Sequence, residues 1–187
     1  MNHGHAVRWG LAALLVSVTL TAGQAQSVKT PVDGVTNFTQ VDVTMACAGA
    51  TKASAVSGLR RMGFKTIVNL RLADEDGADV TGEQAAAAAA GLRYVQLPFT
   101  TPTTSDVDVD ATVQEFLRVT SDPANHPVFV HCAGGGRAAG MWMIKRVVVD
   151  GWDEARAWAE ALGSYDDPAS PALNWSRAYA AAHRQHR

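Results

Sequence analysis

The stretch PVFVHCAGGGRAAG, residues 127–140, decides how the rest of the chain is interpreted. It begins with a short apolar run rich in β-branched residues, reaches Cys132, passes through three glycines and meets Arg137 where a long apolar segment begins. This order predicts a buried strand that ends at the cysteine, a loop large enough to surround a phosphate, and the first turn of a helix. Three parts of one site therefore follow one another along the chain without interruption.

We call residues 132–137 the Cys-loop, and its glycines predict an anion-binding site. Glycine adopts backbone angles that other residues avoid, so consecutive N–H groups of the loop can point towards its centre. The helix that follows adds unpaired N–H groups and the positive end of its dipole. The guanidinium of the arginine can bind two phosphate oxygens at once. We therefore expect the phosphate-binding residues to be Ala133, Gly134, Gly135, Gly136 and Arg137.

Cys132 lies at the edge of this positive field, where a thiol becomes a nucleophile. A cysteine at a helix N-terminus beside an arginine has its pKa lowered from about 8.5 to about 3.5–7.5, which leaves a thiolate at neutral pH. The alternative is a glycine-rich turn that only joins a strand to a helix. Such a turn needs neither a cysteine at the strand end nor an arginine at the helix start. Cys132 is therefore the predicted nucleophile.

The length of 187 residues fits one domain preceded by a short leader. We interpret residues 1–25 as a secretory signal peptide, with Arg8 before the apolar run 11–20 and a small-residue cleavage site before Gln26. That run is too short to cross a bilayer. We expect cleavage to leave residues 26–187 as a single domain, periplasmic or secreted and without membrane association. With a net charge of −2, nothing in the composition attracts nucleic acid, and we expect no nucleic-acid partner.

The chain has two cysteines, Cys47 and Cys132, and two interpretations of them are open. In an oxidising compartment they could form a structural disulfide. We favour two free thiols, because a disulfide-stabilised scaffold normally contains more than one pair of cysteines. Cys47 is then either a partner that makes oxidation of Cys132 reversible or a small buried apolar residue.

Apolar periodicity along the chain alternates between strand and helix. Strands are predicted at residues 38–46 (a strand or a hairpin), 66–70, 93–97 and 128–130, and helices at 52–62, 81–90, 109–120, 141–149, 153–162 and 171–183. The second of these helices starts with a capping box of Thr81 and Gln84 and ends at Gly91. The alternation predicts an α/β fold in which a mostly parallel central sheet is flanked by helices on both faces. Ligands bind at the carboxyl ends of the strands in such sheets, where the Cys-loop lies.

Four segments of the chain resemble the cysteine-dependent phosphatases of the dual-specificity and tyrosine phosphatase superfamily. They are VNLR at 68–71, GLRYVQLPF at 91–99, DPANHPVFVHCAGGGR at 122–137 and DGWDEARAWAEALG at 150–163. The specific resemblance is to the bacterial beta-lactamase-hydrolase-like phosphatase domains and covers roughly residues 37–163. It implies a single phosphatase-like domain that hydrolyses phosphomonoesters. The substrate would be a phosphorylated protein or a small phosphomonoester, and neither a cofactor nor a metal would be needed.

The same resemblance implies a role for each part of the Cys-loop. Cys132 would attack phosphorus and form a cysteinyl-phosphate, while Arg137 and the loop N–H groups bind the transferring group. His131, directly before the nucleophile, would support it by lowering the pKa of the thiol through hydrogen bonds to the loop. The alternative for His131 is a core histidine at a strand end, with its hydrogen bonds satisfied there.

Two departures from the family pattern concern the loop itself. Most tyrosine phosphatases have five residues between the cysteine and the arginine, whereas this chain has four. Rhodaneses also use the shorter loop, so a sulfurtransferase in which Cys132 carries a persulfide is an alternative function. The hydroxyl residue that commonly follows the arginine is replaced by Ala138. This replacement removes a donor that helps the cysteine leave and implies slow turnover.

The third departure concerns the general acid. The family takes it from an aspartate in the loop after the strand at 93–97, where this chain has Thr100 and Thr101. Hydroxyls cannot replace a carboxylic acid near neutral pH. Asp106, further along the loop, is the predicted catalytic acid, and Asp108 is the alternative. Either aspartate can instead cap the N-terminus of the next helix. If neither acts, an aryl phosphate is the best substrate, or the chain is a catalytically weak phosphate-binding module.

Overall fold

A six-stranded sheet forms the centre of the computed structural model, which describes Met1 and residues 27–101 and 108–184. Its strands are Val28–Lys29 (β1), Thr39–Asp42 (β2), Met45–Ala48 (β3), Thr66–Asn69 (β4), Arg93–Gln96 (β5) and Val128–His131 (β6). They lie in the order β1-β2-β3-β6-β4-β5. The pairs β3–β6, β6–β4 and β4–β5 are parallel, and the pairs β1–β2 and β2–β3 are antiparallel. The predicted mostly parallel sheet is confirmed, and residues 38–46 belong to the β2–β3 hairpin.

Helices cover both faces of this sheet. The described residues form Val56–Arg61 (α1), Val80–Ala90 (α2), Val109–Ser121 (α3), Gly136–Val148 (α4), Glu154–Ser164 (α5) and Pro171–Ala182 (α6). Apolar side chains of α1 and α2, such as Leu59 and Ala87, pack with Phe129 in one core. Those of α3 to α6 pack with Val128 and Val130 in a second core on the opposite face. The α/β fold with helices on both faces is therefore confirmed.

All residues of the central strand β6 are buried. The alternation of its side chains between the two faces of the sheet decides on which face the site lies. Val128 and Val130 pack in the core that contains α4. Phe129 packs in the other core and stacks on the ring of His131, with 5.6 Å between the ring centroids. Because successive side chains of a strand point to opposite faces, Cys132, the residue after β6, lies on the α4 side. The nucleophile and the histidine before it are therefore on different faces of the sheet.

The helix α4 is buried over almost its whole length. It begins at Gly136, so Arg137 lies in its first turn, as predicted from an arginine at the helix start. α6 crosses it closely at Gly140, where a Cβ atom would collide with the Oγ of Ser176. This packing fixes the helix whose N-terminus completes the Cys-loop.

The start of α2 differs from the prediction. Its N-cap is Asp79, whose carboxylate accepts a hydrogen bond from the N–H of Gly82 at 2.9 Å. The predicted capping box of Thr81 and Gln84 is therefore wrong. Asp79 is the better cap because its negative charge also interacts favourably with the helix dipole. Gly91 ends the helix in the left-handed conformation, with a φ of 68°, as predicted.

Two predictions fall on residues outside the described part of the chain. They are the signal peptide, of which residues 2–25 are not described, and the catalytic acid Asp106. The loop that follows β5 is described up to Thr101 and again from Asp108. Among the helices formed by the described residues, none is long and apolar enough to cross a membrane.

Candidate active site

The Cys-loop joins the carboxyl end of β6 to the N-terminus of α4, at the edge of the sheet where the parallel strands end. The N-cap of α4 is Gly135, whose φ of 116° lies in the left-handed region. A residue with a Cβ atom would be strained there. That Cβ atom would also come within 3.3 Å of the ring of Tyr165. The loop therefore requires glycine at this position for two independent reasons.

The sulfur of Cys132 faces the centre of the loop. Its Sγ accepts a hydrogen bond from the N–H of Gly135 at 3.1 Å, and its own N–H donates to the carbonyl of Ala48 at 3.2 Å. The residue is 1% exposed and lies at the bottom of a cavity of about 520 Å³. Other predicted phosphate-binding residues line the same cavity: Ala133, Gly134, Gly136 and Arg137. The fold thus brings the predicted nucleophile and its predicted anion-binding neighbours to one place.

Arg137 is held by backbone and side-chain acceptors from other parts of the chain. Its Nη1 donates to the carbonyl oxygens of Leu70 at 3.2 Å and Phe99 at 2.8 Å. Its two terminal nitrogens also donate to the two carboxylate oxygens of Glu75, with 2.7 Å between Nη2 and Oε2. Burial lowers the pKa of Arg137, but the hydrogen bonds to Glu75 and the nearby Cys132 outweigh burial and raise it. The guanidinium is therefore a permanent cation with a fixed direction beside the sulfur.

Glu75 orients the arginine from the acidic loop, residues 74–79. Its Oε1 accepts the N–H of Leu72 at 2.9 Å, and the Nε of Arg71 lies 3.4 Å from its Oε2. Burial raises the pKa of Glu75, but the hydrogen bonds from Arg137 and Leu72 outweigh burial and hold it below its usual value. Sequence reasoning missed this residue. The signal for it was a carboxylate in the loop after β4, the strand beside β6.

Arg71 supports the acidic loop from beneath. Its residue exposure is 3%, and its guanidinium donates to the backbone carbonyls of Asp76 and Gly77. These hydrogen bonds fix the shape of the loop that carries Glu75. Arg71 therefore acts on the site through the loop rather than as part of the cavity lining.

His131 lies on the opposite face of the sheet from the sulfur, within a buried polar cluster. Its Nε2 is 3.1 Å from the Oε2 of Glu83, although the two are not aligned as a hydrogen bond. The same carboxylate oxygen accepts hydrogen bonds from Asn69 at 2.9 Å and from the hydroxyl of Tyr94 at 3.2 Å. Within the described part of the chain, the ring of His131 makes no hydrogen bond to the Cys-loop. Any effect of His131 on the reactivity of Cys132 would have to pass through the β6 backbone or through space.

The side of the cavity where a general acid is expected carries hydroxyls. Thr100 and Thr101 line it. Asp108 is engaged elsewhere, because its carboxylate accepts the N–H of Ala111 at 3.0 Å and caps α3. Of the described residues, Glu75 supplies the one carboxylate in the cavity lining, and it is bound to the arginine. The described lining therefore offers no carboxylic acid that is free to protonate a leaving group.

The walls above the loop are largely apolar. Tyr165, in the turn between α5 and α6, packs on the glycines, and a Cβ atom on Gly136 would come within 3.0 Å of its ring. Leu72, and Pro171 and Ala172 at the start of α6, also line the cavity. An apolar group attached to a bound anion would contact these walls.

Both cysteines are free, as predicted. Cys47 pairs in register with Val130 of β6 and packs in the same core as Cys132. Burial and the neighbouring Cys132 raise the pKa of the Cys47 thiol well above its usual value. Cys47 is therefore protonated at neutral pH and is a poor nucleophile in this state.

The arrangement can bind a tetrahedral anion and attack it. A sulfur at the floor, a backbone N–H directed at it and a fixed guanidinium beside it supply a nucleophile and the donors for the anion. The described residues contain no group of three or more His, Cys, Asp or Glu side chains that could hold a metal ion. The residues present thus fit nucleophilic attack by a thiolate on an anion held by hydrogen bonds.

Sequence comparison matches the chain to a family model and to a relative. A model of the family described as "DSP-PTPase phosphatase fused to NAD+ kinase" matches residues 21–171. The beta-lactamase hydrolase-like protein of Agrobacterium fabrum is 32% identical over 107 residues, which are 56% of this chain. The matched region is 24% of that relative, so the chain spans about a quarter of its length.

Several solved structures have a similar fold. A DUF442 protein from Shewanella putrefaciens CN-32 has a TM-score of 0.67 at 17% identity, over 83% of this chain and 97% of its own. TpbA from P. aeruginosa, a cysteine-to-serine variant in complex with phosphotyrosine, has a TM-score of 0.62 at 24% identity, over 86% and 91%. The core catalytic domain of the PP-IP phosphatase SIW14 from S. cerevisiae has a TM-score of 0.61 at 18% identity, over 82% and 88%. At these identities the likeness shows a shared fold alone.

Proposed function

We propose that Cys132 is the nucleophile and carries a cysteinyl-phosphate intermediate, because the chain belongs to the family of DSP-PTPase phosphatases fused to NAD+ kinase. As a member of that family, the chain is a phosphatase. The observation that carries the proposal is the hydrogen bond from the N–H of Gly135 to the sulfur, beside the guanidinium of Arg137. Such a hydrogen bond is stronger to a thiolate than to a thiol, because the acceptor is then charged. The site therefore offers a donor and a cation to the sulfur that attacks phosphorus.

The reaction has two steps. First the thiolate of Cys132 attacks phosphorus, an S–P bond forms, and the P–O bond to the leaving group breaks. The loop N–H groups and Arg137 stabilise the charge on the transferring group. Water then attacks phosphorus, the S–P bond breaks, and phosphate and the thiolate are released. Ala138 offers no hydroxyl to the departing sulfur, which supports a slow second step.

We propose Asp106 as the residue that protonates the leaving oxygen. It lies in the loop between Thr101, which lines the cavity, and Asp108, which caps α3. Because the carboxylate of Asp108 is occupied as a cap, Asp106 is the other aspartate of that loop that could reach the leaving group. A carboxylic acid in this role typically raises the rate by about 10²–10⁴-fold when the leaving group is poor.

The cavity favours a substrate with one phosphate on an aryl or other apolar group, as in phosphotyrosine. Arg137 is the cation in the described lining, and Glu75 beside it is negative. Leu72, Tyr165 and Pro171 give the cavity apolar walls. A substrate with several phosphates would need further cations to offset its charge. We therefore propose a phosphorylated protein or a small phosphomonoester with an apolar leaving group.

Hydrolysis of p-nitrophenyl phosphate tests the proposal. We expect activity in the wild type and a loss of at least about 10³-fold in Cys132→Ser, because a hydroxyl is not ionised at neutral pH. Cys47→Ala is the matched control, since it removes the other buried thiol and leaves the Cys-loop unchanged. Binding of vanadate without turnover would indicate a phosphate-binding module instead. Transfer of sulfur from thiosulfate to cyanide would indicate a sulfurtransferase, and either result would contradict the proposal.

We also propose that the chain is exported and that residues 1–25 are removed. The support is the sequence pattern, in which Arg8 precedes the apolar run 11–20 and small residues precede Gln26. After expression of the full chain in a bacterium, the protein recovered from the periplasm or medium is expected to have the mass of residues 26–187. An uncleaved protein confined to the cytoplasm would contradict this part of the proposal.

A further inference from the structure

The peptide bond between Gly134 and Gly135 is held on both of its sides. Its carbonyl, that of Gly134, accepts a hydrogen bond from the side-chain amide of Asn37 at 2.9 Å. Its N–H, that of Gly135, donates to the sulfur of Cys132 at 3.1 Å. In a trans peptide the C=O and N–H bonds point in opposite directions. The hydrogen bond from Asn37 outside the loop therefore fixes the direction of the N–H inside it.

This peptide bond needs an external partner because it lies between two glycines. Without Cβ atoms the chain on either side accepts many pairs of backbone angles, and Gly135 already has a φ of 116°. A rotation of the peptide would turn the carbonyl oxygen of Gly134 towards the sulfur and towards a bound anion. The negative end of the carbonyl dipole would then face the sulfur and the anion. The site would also lose one of the inward N–H groups on which such anion sites depend.

Asn37 is anchored where this contact requires it. The N–H of Gly49 donates to the carbonyl of Thr36 at 2.7 Å, and the N–H of Thr36 donates to the carbonyl of Ala50 at 2.9 Å. The N–H of Ala50 in turn donates to the carbonyl of Ala133 at 2.7 Å. Asn37 has a φ of 51°, a left-handed conformation that asparagine adopts more readily than most residues. Two successive carbonyls of the Cys-loop are therefore bound from outside by neighbouring segments.

We propose that Asn37 is a positioning residue for the phosphatase reaction, which keeps the N–H of Gly135 on the sulfur of Cys132 by binding the carbonyl of Gly134. This inference rests on the proposed role of Cys132 as the nucleophile. Asn37 acts through one peptide bond and does not itself contact the substrate. Its partner lies 97 positions further along the chain, so the contact exists only in the folded protein.

The variant Asn37→Gly tests the contact, because glycine accepts a left-handed φ and only the side-chain amide is lost. We expect kcat/KM for p-nitrophenyl phosphate to fall about 2- to 12-fold, the range that one neutral hydrogen bond supplies. We also expect the pH midpoint for alkylation of Cys132 by iodoacetamide to rise, because the thiolate loses a firmly held donor. Thr36→Ala is the matched control, since the neighbouring Thr36 makes its contacts to residues 49 and 50 through its backbone.

Other groups around the sulfur stay constant in this experiment. Among the described residues, the side chains near it from other elements are Arg137 of α4, Glu75 behind that arginine, Tyr165 of the α5–α6 turn and Cys47 of β3. Neither Asn37→Gly nor Thr36→Ala alters them. Asn37→Asp, whose carboxylate cannot donate at neutral pH, is expected to change both readouts in the same direction as Asn37→Gly.

The failure of this inference can be told apart from the failure of the proposed function. A wild type that neither hydrolyses p-nitrophenyl phosphate nor shows alkylation of Cys132 at lower pH than free cysteine would reject the proposed function. If the wild type does both and Asn37→Gly matches it in both, the inference is overturned. A lower rate in Asn37→Gly with an unchanged alkylation midpoint would also overturn it, because that result means general loosening rather than a lost donor to the sulfur.

Discussion

The two sides of the cavity are built differently. On the nucleophile side, Cys132 and Arg137 are fixed by hydrogen bonds from the loop itself, from the ends of neighbouring strands and from the acidic loop. On the leaving-group side, the described lining residues are Thr100 and Thr101. The described hydrogen bonds show how the nucleophile and the charge-stabilising arginine are held, whereas the proposed acid Asp106 lies between the described segments. The rate with an aryl phosphate, whose leaving group needs little help from an acid, should therefore depend mainly on the nucleophile side.

Among the changes considered, Arg137→Lys on the nucleophile side should lower the activity most. Lysine keeps the positive charge but loses the planar donors that bind two phosphate oxygens and Glu75. We expect kcat/KM for p-nitrophenyl phosphate to fall about 10²–10³-fold, the cost of removing a transition-state donor. Arg118→Lys, an exposed arginine of α3 paired with Glu115, is the control and should have wild-type kinetics. Equal activity in the two variants would contradict the role given to Arg137.

The change Asp106→Asn tests the proposed acid on the leaving-group side. For an alkyl phosphate, whose leaving group needs a proton, we expect a fall of about 10²-fold. For p-nitrophenyl phosphate we expect less than about 3-fold, because that leaving group departs as an anion. Asp108→Asn is the matched control and should leave both rates near the wild-type values, since Asp108 caps α3. If both substrates respond equally to Asp106→Asn, the residue is not the acid.

The change Glu75→Gln tests the support of Arg137 on the nucleophile side through its effect on stability. It removes the charged partner of Arg137, and we expect the free energy of unfolding at neutral pH to fall by about 1.5–3 kcal/mol. Hydrogen bonds from Arg137 hold the pKa of Glu75 below its usual value despite burial. Its contribution is therefore present above the unfolded pKa of about 4.3 and is lost as the pH falls through the lower folded pKa.

Thermal unfolding of the wild type and Glu75→Gln over a series of pH values checks this direction of the pH dependence of stability. The difference in Tm between the two proteins should be largest near neutral pH and should close as the pH falls below about 4.3. A difference that stays constant over the whole series would mean that the ionised carboxylate does not stabilise the fold.

Features that lie close together in the sequence were predictable. β6, the Cys-loop and α4 are consecutive, so a strand pattern, three glycines and a helix pattern were enough to place Cys132 and Arg137 beside one another. The position of His131 was predictable too, because strand alternation puts it on the face opposite to Cys132. The expectation that its ring would hydrogen-bond the loop overlooked that alternation.

Contacts between distant residues could not be predicted in this way. Glu75 lies 62 positions before Arg137, and Asn37 lies 97 positions before Gly134. Their contacts depend on the strand order, which places the end of β6 between those of β3 and β4. The start of α2 was ambiguous for a different reason. Asp79 competes with a threonine nearby, and both residue types are favourable N-caps.

Everything proposed for the site depends on a bond that the sulfur of Cys132 forms to phosphorus during turnover. Rapid denaturing quench of the wild type mixed with p-nitrophenyl phosphate, followed by peptide mass analysis, tests it directly. We predict a phosphoryl group on the peptide that contains Cys132, and none in the Cys132→Ser variant. Sustained hydrolysis without that modified peptide, or with the phosphoryl group on another residue, would show that Cys132 is not the nucleophile.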